Sequence, residues 1–234
     1  MKAFCLFYHN DGLLPYWLRH YCRQQPHLIV PEDIDEAELA PAREDSRCVV
    51  HRFSGTYVGG CIDTERTLEV VRRVVEPGEW YIVADLDEFH LLTPPSEHDS
   101  AVLARFVDRI SLDGKLNEID QTRTLDEQFP LCFNPSMIVP PMGTMKVAMV
   151  RAPAEFTAGH HMCTVNAYAE DVGETHHFKW HGAKLLAWLQ HRANLTHYDP
   201  SFESRAFLDH IARFGGVNVQ DYSLYVRKAR SIGV

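Results

Sequence analysis

The chain has 234 residues, 45% hydrophobic and 24% charged, which is enough apolar material for one sizeable core and too little charge for wholesale disorder. Its formal net charge of −9 argues against a dedicated nucleic-acid binder, which presents a basic face. That charge leaves room for a small anionic substrate gripped through a metal ion, because a bound cation reverses the local field.

The six cysteines are widely scattered and form no C-x-x-C pair, which suits neither a zinc ribbon nor a disulfide scaffold. Read as reduced and buried, they point to a cytoplasmic chain. The first ten residues contain a short apolar run with no small-residue cleavage site, so a first strand is expected there rather than a signal peptide. No run approaches the roughly 18 apolar residues of a membrane-crossing helix.

In chain order, Ala3 to Tyr8 reads as a buried strand ending at the polar turn His9-Asn10-Asp11-Gly12. Leu14, Trp17, Leu18 and Tyr21 then recur at helical spacing, with Pro15 tolerated in the first turn. His27 to Val30 predicts a second strand closed by Pro31, Glu32 to Asp45 an exposed acidic loop, and Cys48 to Phe53 a third strand. A helix begins near Asp63-Thr64, carries Leu68, Val71 and Val75 on one face, and stops at Pro77-Gly78. Trp80 to Ala84 is a continuous apolar run, as in a strand covered on both faces.

Val102, Leu103, Phe106, Val107 and Ile110 predict another amphipathic helix. From Leu116 to Val150 the pattern is irregular and punctuated by prolines. Two further helices close the chain: one carries Leu185, Leu186, Trp188 and Leu189, the other Phe207, Leu208, Ile211 and Phe214, stopping at Gly215-Gly216. The alternation of strands and helices predicts an α/β fold with a mixed central sheet flanked by helices. Ligands of such sheets bind beyond the carboxyl ends of the strands, which is where Asn10-Asp11 and Asp85-Leu86-Asp87-Glu88 fall.

Side chains alternate along a strand, so Asp85 and Asp87 share a direction if the extended conformation persists. Two carboxylates on one side offer hard oxygen ligands to Mg²⁺ or Mn²⁺, ions that share their coordination with phosphate oxygens and water. The alternative is an acidic turn capping the next element. Fourteen histidines are present, with His160, His161, His176, His177 and His181 gathered late. Near a metal motif such doublets are candidate nitrogen ligands.

Tyr8-His9-Asn10-Asp11 followed by Leu13-Leu14-Pro15-Tyr16-Trp17-Leu18 resembles the opening of family 2-like glycosyltransferases. Trp80 to Phe89, with Asp85-Leu86-Asp87-Glu88-Phe89, is similar to their D-x-D-E-F segment, and His160-His161 and His176-His177-Phe178-Lys179-Trp180 resemble their late histidine segments. The resemblance covers roughly residues 3 to 192. It implies a single GT-A type, Rossmann-like domain: a nucleotide-sugar-binding half (1–92), an acceptor and metal-completing half (93–183) and C-terminal helices (184–234). It also implies a nucleoside-diphosphate-sugar donor, a glycan or other hydroxyl acceptor, Mn²⁺ or Mg²⁺, and inverting transfer helped by a carboxylate base.

The sequence departs from that pattern where Asp11 replaces the commoner Glu, and where Pro31 to Asp45 lacks the usual Asn/Asp-Ser run. The expected roles are Asp87 as direct metal ligand and Asp85 on the ribose or on the metal through water. His177 is the expected nitrogen ligand, with His161 behind it. Asn10 and Asp11 are expected on the nucleotide. Lys146 is either a phosphate neutraliser or a solvated strand lysine.

Asp108 is the expected base, against a reading in which Asp108-Arg109 is a polar pair at a helix end. Two other classes stay open. One is a haloacid-dehalogenase-like phosphohydrolase, whose opening Asp85-Leu86-Asp87 echoes; the other is a non-catalytic nucleotide-sugar-binding module. Gly55, Gly59 and Gly60 match no phosphate-binding glycine motif and predict a loop.

Overall fold

The computed structural model describes residues 1–9, 12–55, 60–138, 145–157, 162–165, 168–169, 173–194, 201–220, 223 and 225–234. The protein is a mixed α/β chain that divides into two compact units, Met1–Arg105 with Met145–Thr175, and Phe106–Thr144 with His176–Val234.

In the first unit, β1 (Lys2–Leu6), β2 (Gln25–Pro31), β3 (Val49–Phe53) and β4 (Trp80–Val83) are parallel, in the order β3-β2-β1-β4. The helices α1 (Leu14–His20) and α3 (Gly60–Val74) lie between successive strands in the chain, with the short α2 (Ala40–Glu44) before β3. Their apolar positions explain where they pack. Val70 and Val71 of α3 join Phe4, Ile29, Tyr81 and Val83 in one buried cluster, so Phe4, Tyr81 and Val83 mark one face of the sheet. Leu14, Trp17 and Leu18 of α1 are buried as their spacing predicts, and Pro15 sits in the first turn.

β8 (Met145–Arg151) runs antiparallel to β4, and the first half of β6 (Ala101–Ile110) runs antiparallel to β8. The short β5 (Glu88–Leu91) pairs with β9 (Gly173–His177). Because β2 and β3 lie on one side of β1 and β4 on the other, the strand order reverses between β1 and β4. In open α/β sheets that reversal opens a crevice beyond the carboxyl ends of the two strands.

The second unit pairs the later part of β6 with β7 (Leu131–Phe133), and β7 with β10 (Arg227–Lys228), both antiparallel. Its core gathers Ile110, Phe133, Trp180, Leu185, Leu189, Phe207, Ile211 and Val217. Leu185 and Leu189 come from α5 (Lys184–Ala193), and Phe207 and Ile211 from α6 (Ser201–Phe214), the two helices that the sequence periodicity predicts. α6 stops where expected: Gly215 has φ +72°, and its N–H donates to Ile211 O at 2.7 Å. The remaining helix, α4 (Leu125–Gln128), starts with a capping box between Thr124 and Glu127.

Four expectations are corrected. The helix predicted over Val102 to Ile110 is the ten-residue strand β6; it is buried on both faces, so the period-two signal is lost and apolar residues fall by chance at helical spacing. The acidic loop from Glu32 to Asp45 contains a 3₁₀ turn at Glu36–Leu39, capped by Asp35, and then α2. The irregular stretch to Val150 ends in β8. The extended conformation does not persist through Asp85 to Asp87: the last strand-like bond is Ala84 N–H to Phe4 O, and Glu88 N–H closes a turn on Asp85 O at 3.0 Å.

Candidate functional site

The turn from Asp85 to Glu88 emerges from β4 at the reversal of strand order, with its carboxylates in different settings. The Asp85 side chain is 54% exposed, Asp87 is half-buried, and Glu88 is buried. Glu88 shapes the turn from inside, because its Oε2 accepts the Asp85 N–H at 3.2 Å while its own N–H donates back to Asp85 O.

Its other oxygen is paired with Lys146 Nζ, from β8. The ammonium also lies 3.5 Å from Asp85 Oδ2. Burial alone would pull the pKa of Lys146 down, but Glu88, Asp85 and Asp87 together hold it above its usual value. Lys146 is therefore not a solvated lysine; its charge is matched beneath the turn. Cys5 on β1 records the same field: burial first, then Asp85, Asp87 and Glu88, push its thiol well above the ordinary range.

A second group lies at the carboxyl ends of β1 and β3. Tyr8 Oη donates to Asp63 Oδ1 at 2.8 Å, and Arg66 Nη1 donates to the same oxygen at 2.7 Å. The Arg66 guanidinium sits 4.4 Å from the centre of the Phe53 ring, which Tyr8 meets edge-on at 5.9 Å. Burial, reinforced by Asp63, raises the Tyr8 hydroxyl pKa. Spacing alone did not single out Asp63, Arg66 or Phe53 as a group, because they sit in a helix and a strand whose nearness depends on the β3–α3 connection.

Of the remaining expected residues, Asn10, Asp11, His160 and His161 lie outside the described residues. Asp108 and His177 belong to the second unit, and the structure brings them together: Asp108 Oδ1 meets His177 Nδ1 at 2.7 Å, and Asp108 Oδ2 accepts from Trp180 Nε1 at 2.6 Å. Asp108 is not at a helix end but in β6, and it is 1% exposed.

Its neighbour Arg109 does not pair with it. Arg109 donates to Phe129 O, Arg230 O and Asp126 Oδ1, approaches His176 Nδ1 at 3.0 Å, and stacks on Phe178. Neighbouring strand residues project to opposite faces, which separates the two networks.

Mg²⁺ and Mn²⁺ need only one or two carboxylates when substrate phosphates and water supply the other ligands. Asp85 and Asp87, accessible at the strand end, fit that requirement. Among the described residues no three His, Cys, Asp or Glu side chains converge into a metal-binding group. Among the described residues no helix is long and apolar enough to cross a membrane.

Comparison with protein-family models finds no match, and comparison with curated proteins finds none. Among solved structures the chain is similar to a protein described as a glucose-1-phosphate thymidylyltransferase from Bacillus anthracis, in complex with a sucrose. The identity is 8% and the TM-score 0.31, over 53% of this chain and 62% of that one. The strand order and pairing, not that likeness, define the fold.

Proposed function

We propose that the protein is a metal-dependent glycosyltransferase of the GT-A kind, moving a sugar from a nucleoside-diphosphate-sugar to a hydroxyl of a glycan or other acceptor, with inversion, in the cytoplasm. One observation carries this reading. The D-x-D turn leaves β4 where the strand order reverses, its two aspartates accessible and its Glu88 buried against Lys146.

Asp87 is the direct ligand of Mn²⁺ or Mg²⁺ in this reading. Asp85, drawn toward Lys146, serves the ribose or the metal through water. A divalent ion bound there supplies Lewis-acid stabilisation of the departing diphosphate. Tyr8, Phe53 and Arg66 offer aromatic and cationic faces to the base, as planar rings and guanidinium groups do. Asn10 and Asp11, which follow β1, remain the proposed nucleotide contacts. Asp108 is not carried forward as the base: a proton acceptor must reach the acceptor hydroxyl, and both of its oxygens are already taken below the surface.

Calorimetry with UDP-, GDP- and dTDP-sugars tests the proposal, in Mn²⁺, in EDTA, and with Asp87→Ala. The expected outcome is metal-dependent binding of one donor, lost in the variant. Failure of the folded protein to bind any donor in Mn²⁺ would overturn it, and phosphatase activity lost in Asp85→Asn would favour a phosphohydrolase instead.

A further inference from the structure

The last residues of the second unit are tied down at two places. Ala229 N–H donates to Pro130 O at 2.9 Å, beyond the pairing of β10 with β7. Further on, Asp126 accepts from the Ser231 hydroxyl and from the N–H groups of Ile232 and Gly233. Beside these ties lies a cavity of about 300 Å³, lined by Arg109, Asp126, Pro130, Lys228, Ala229 and Ser231. A water molecule takes about 30 Å³ of liquid, so the space admits a molecule of several heavy atoms. Every lining residue belongs to the second unit.

A guanidinium has five N–H donors, and four of those on Arg109 are engaged. Nε donates to Phe129 O, Nη1 to Arg230 O and His176 Nδ1, and Nη2 to Asp126 Oδ1. The second N–H of Nη2 has no acceptor among the described residues, although the side chain is 1% exposed. An unmatched donor on a buried charge is costly. Burial pulls the Arg109 pKa below its usual value, and the Asp126 charge opposes that without cancelling it.

The other lining charges point the same way. Lys228 is exposed and forms no ion pair among the described residues. The negative charge of Asp126 is already covered by Arg109, the Ser231 hydroxyl and two main-chain N–H groups. A cation entering the cavity would meet Arg109 and Lys228, whereas an anion would find one spare donor and one unpaired ammonium. Arg and Lys together are the usual means of holding a carboxylate or phosphate group.

We infer that this cavity is an oxyanion-binding site: a carboxylate or phosphate group of a small organic molecule accepts the fifth N–H of Arg109 and pairs with Lys228, its short apolar part lying against Pro130 and Ala229. The site is separate from the D-x-D turn in its residues and does not rest on the glycosyltransferase reading.

The test is titration of the metal-free, ¹⁵N-labelled full chain with inorganic phosphate, and separately with acetate, at neutral pH and an ionic strength held constant with chloride. The amide resonances of Ala229 and Ser231 report on the cavity. Saturable shifts of both are expected with at least one anion; the stronger binder of the two assigns the ligand as a phosphate ester or a carboxylate. Lys228→Ala changes an exposed side chain and keeps the main-chain pairing of β10, so it should fold. It is expected to weaken the anion roughly 5- to 10-fold, and Lys228→Arg to retain most of the affinity.

The inference is overturned if neither anion gives a saturable shift, or if chloride alone moves the same amides equally. A folded Lys228→Ala that binds as tightly as the parent overturns it too. A protein that binds no nucleotide-sugar yet gives the expected shifts loses the glycosyltransferase reading and keeps this site.

Discussion

Two histidines in this protein meet a partner through Nδ1 at almost the same distance, with opposite consequences. His177 faces the Asp108 carboxylate at 2.7 Å. His27, on β2, faces another imidazole, His51 Nε2 on β3, at 2.8 Å, with the rings stacked 5.1 Å apart. A carboxylate holds a proton on the nitrogen it faces, whereas two imidazoles share one hydrogen bond only while at least one stays neutral.

Burial, the His51 ring and Lys2 push the His27 pKa down to about 4, opposed only by Glu79, and burial and Arg73 lower that of His51. Geometry alone would rank the two pairs as equivalent. The sign of the partner separates them.

That contrast can be tested most severely where a buried charge loses the opposite charge beside it. Lys146→Met leaves the Glu88 carboxyl, only 2% exposed by side chain, without the ammonium that matches it, which is expected to destabilise the protein by about 3–5 kcal/mol. Combining it with Glu88→Gln should recover most of the loss, because Gln still accepts the Asp85 N–H. Equal urea midpoints for the single and double variants would show that the pair's charge is not what holds the turn.

The histidine pair predicts the next largest effect. The folded pKa of His27 lies below the unfolded value of about 6.5, so its stabilising contribution is full above that pH. The contribution falls as the pH drops from about 6.5 toward 4, by roughly 3 kcal/mol at most. Urea unfolding across that range should show this slope, and His27→Phe should flatten it; an unchanged slope would remove His27 as its source.

The smallest effect belongs to Asp126, which accepts from Arg109, Ser231 and the N–H groups of Ile232 and Gly233. Although burial opposes it, these donors and the Arg109 charge keep its pKa low. Its contribution is therefore present above the unfolded carboxylate value of about 3.9 and lost as the pH falls below it. Asp126→Asn should cost about 2 kcal/mol at neutral pH, with the difference from the parent shrinking as the pH is lowered below about 3.9.

What could be read from the residues alone follows the same physics. The β1–α1–β2 and β3–α3–β4 succession was legible because each element has one buried face or is buried throughout, and glycine and proline mark the joints. The acidic motif after β4 was legible as a position but not as a shape. Whether Asp85 and Asp87 alternate or turn depends on Glu88, and Glu88 depends on Lys146, 58 residues away. β6 was misread because a strand buried on both sides, even at Asp108 and Arg109, carries no alternation. The roles inside the Asp108 network were hidden for a related reason: Trp180 reads as a core residue, and nothing in its spacing reveals which acceptor its N–H has found.

The end of α1 has a consequence for how the protein avoids its own kind. Tyr21 Oη donates to Glu88 O and accepts the His90 N–H, each at 3.2 Å, and His20 Nε2 lies 3.0 Å from His90 O. Three main-chain groups of β5, the sort a stray strand would seize, are thus met by two side chains standing in for a neighbour. β5 already has a counterfeit strand beside it, and a chain arriving from another molecule finds those places filled.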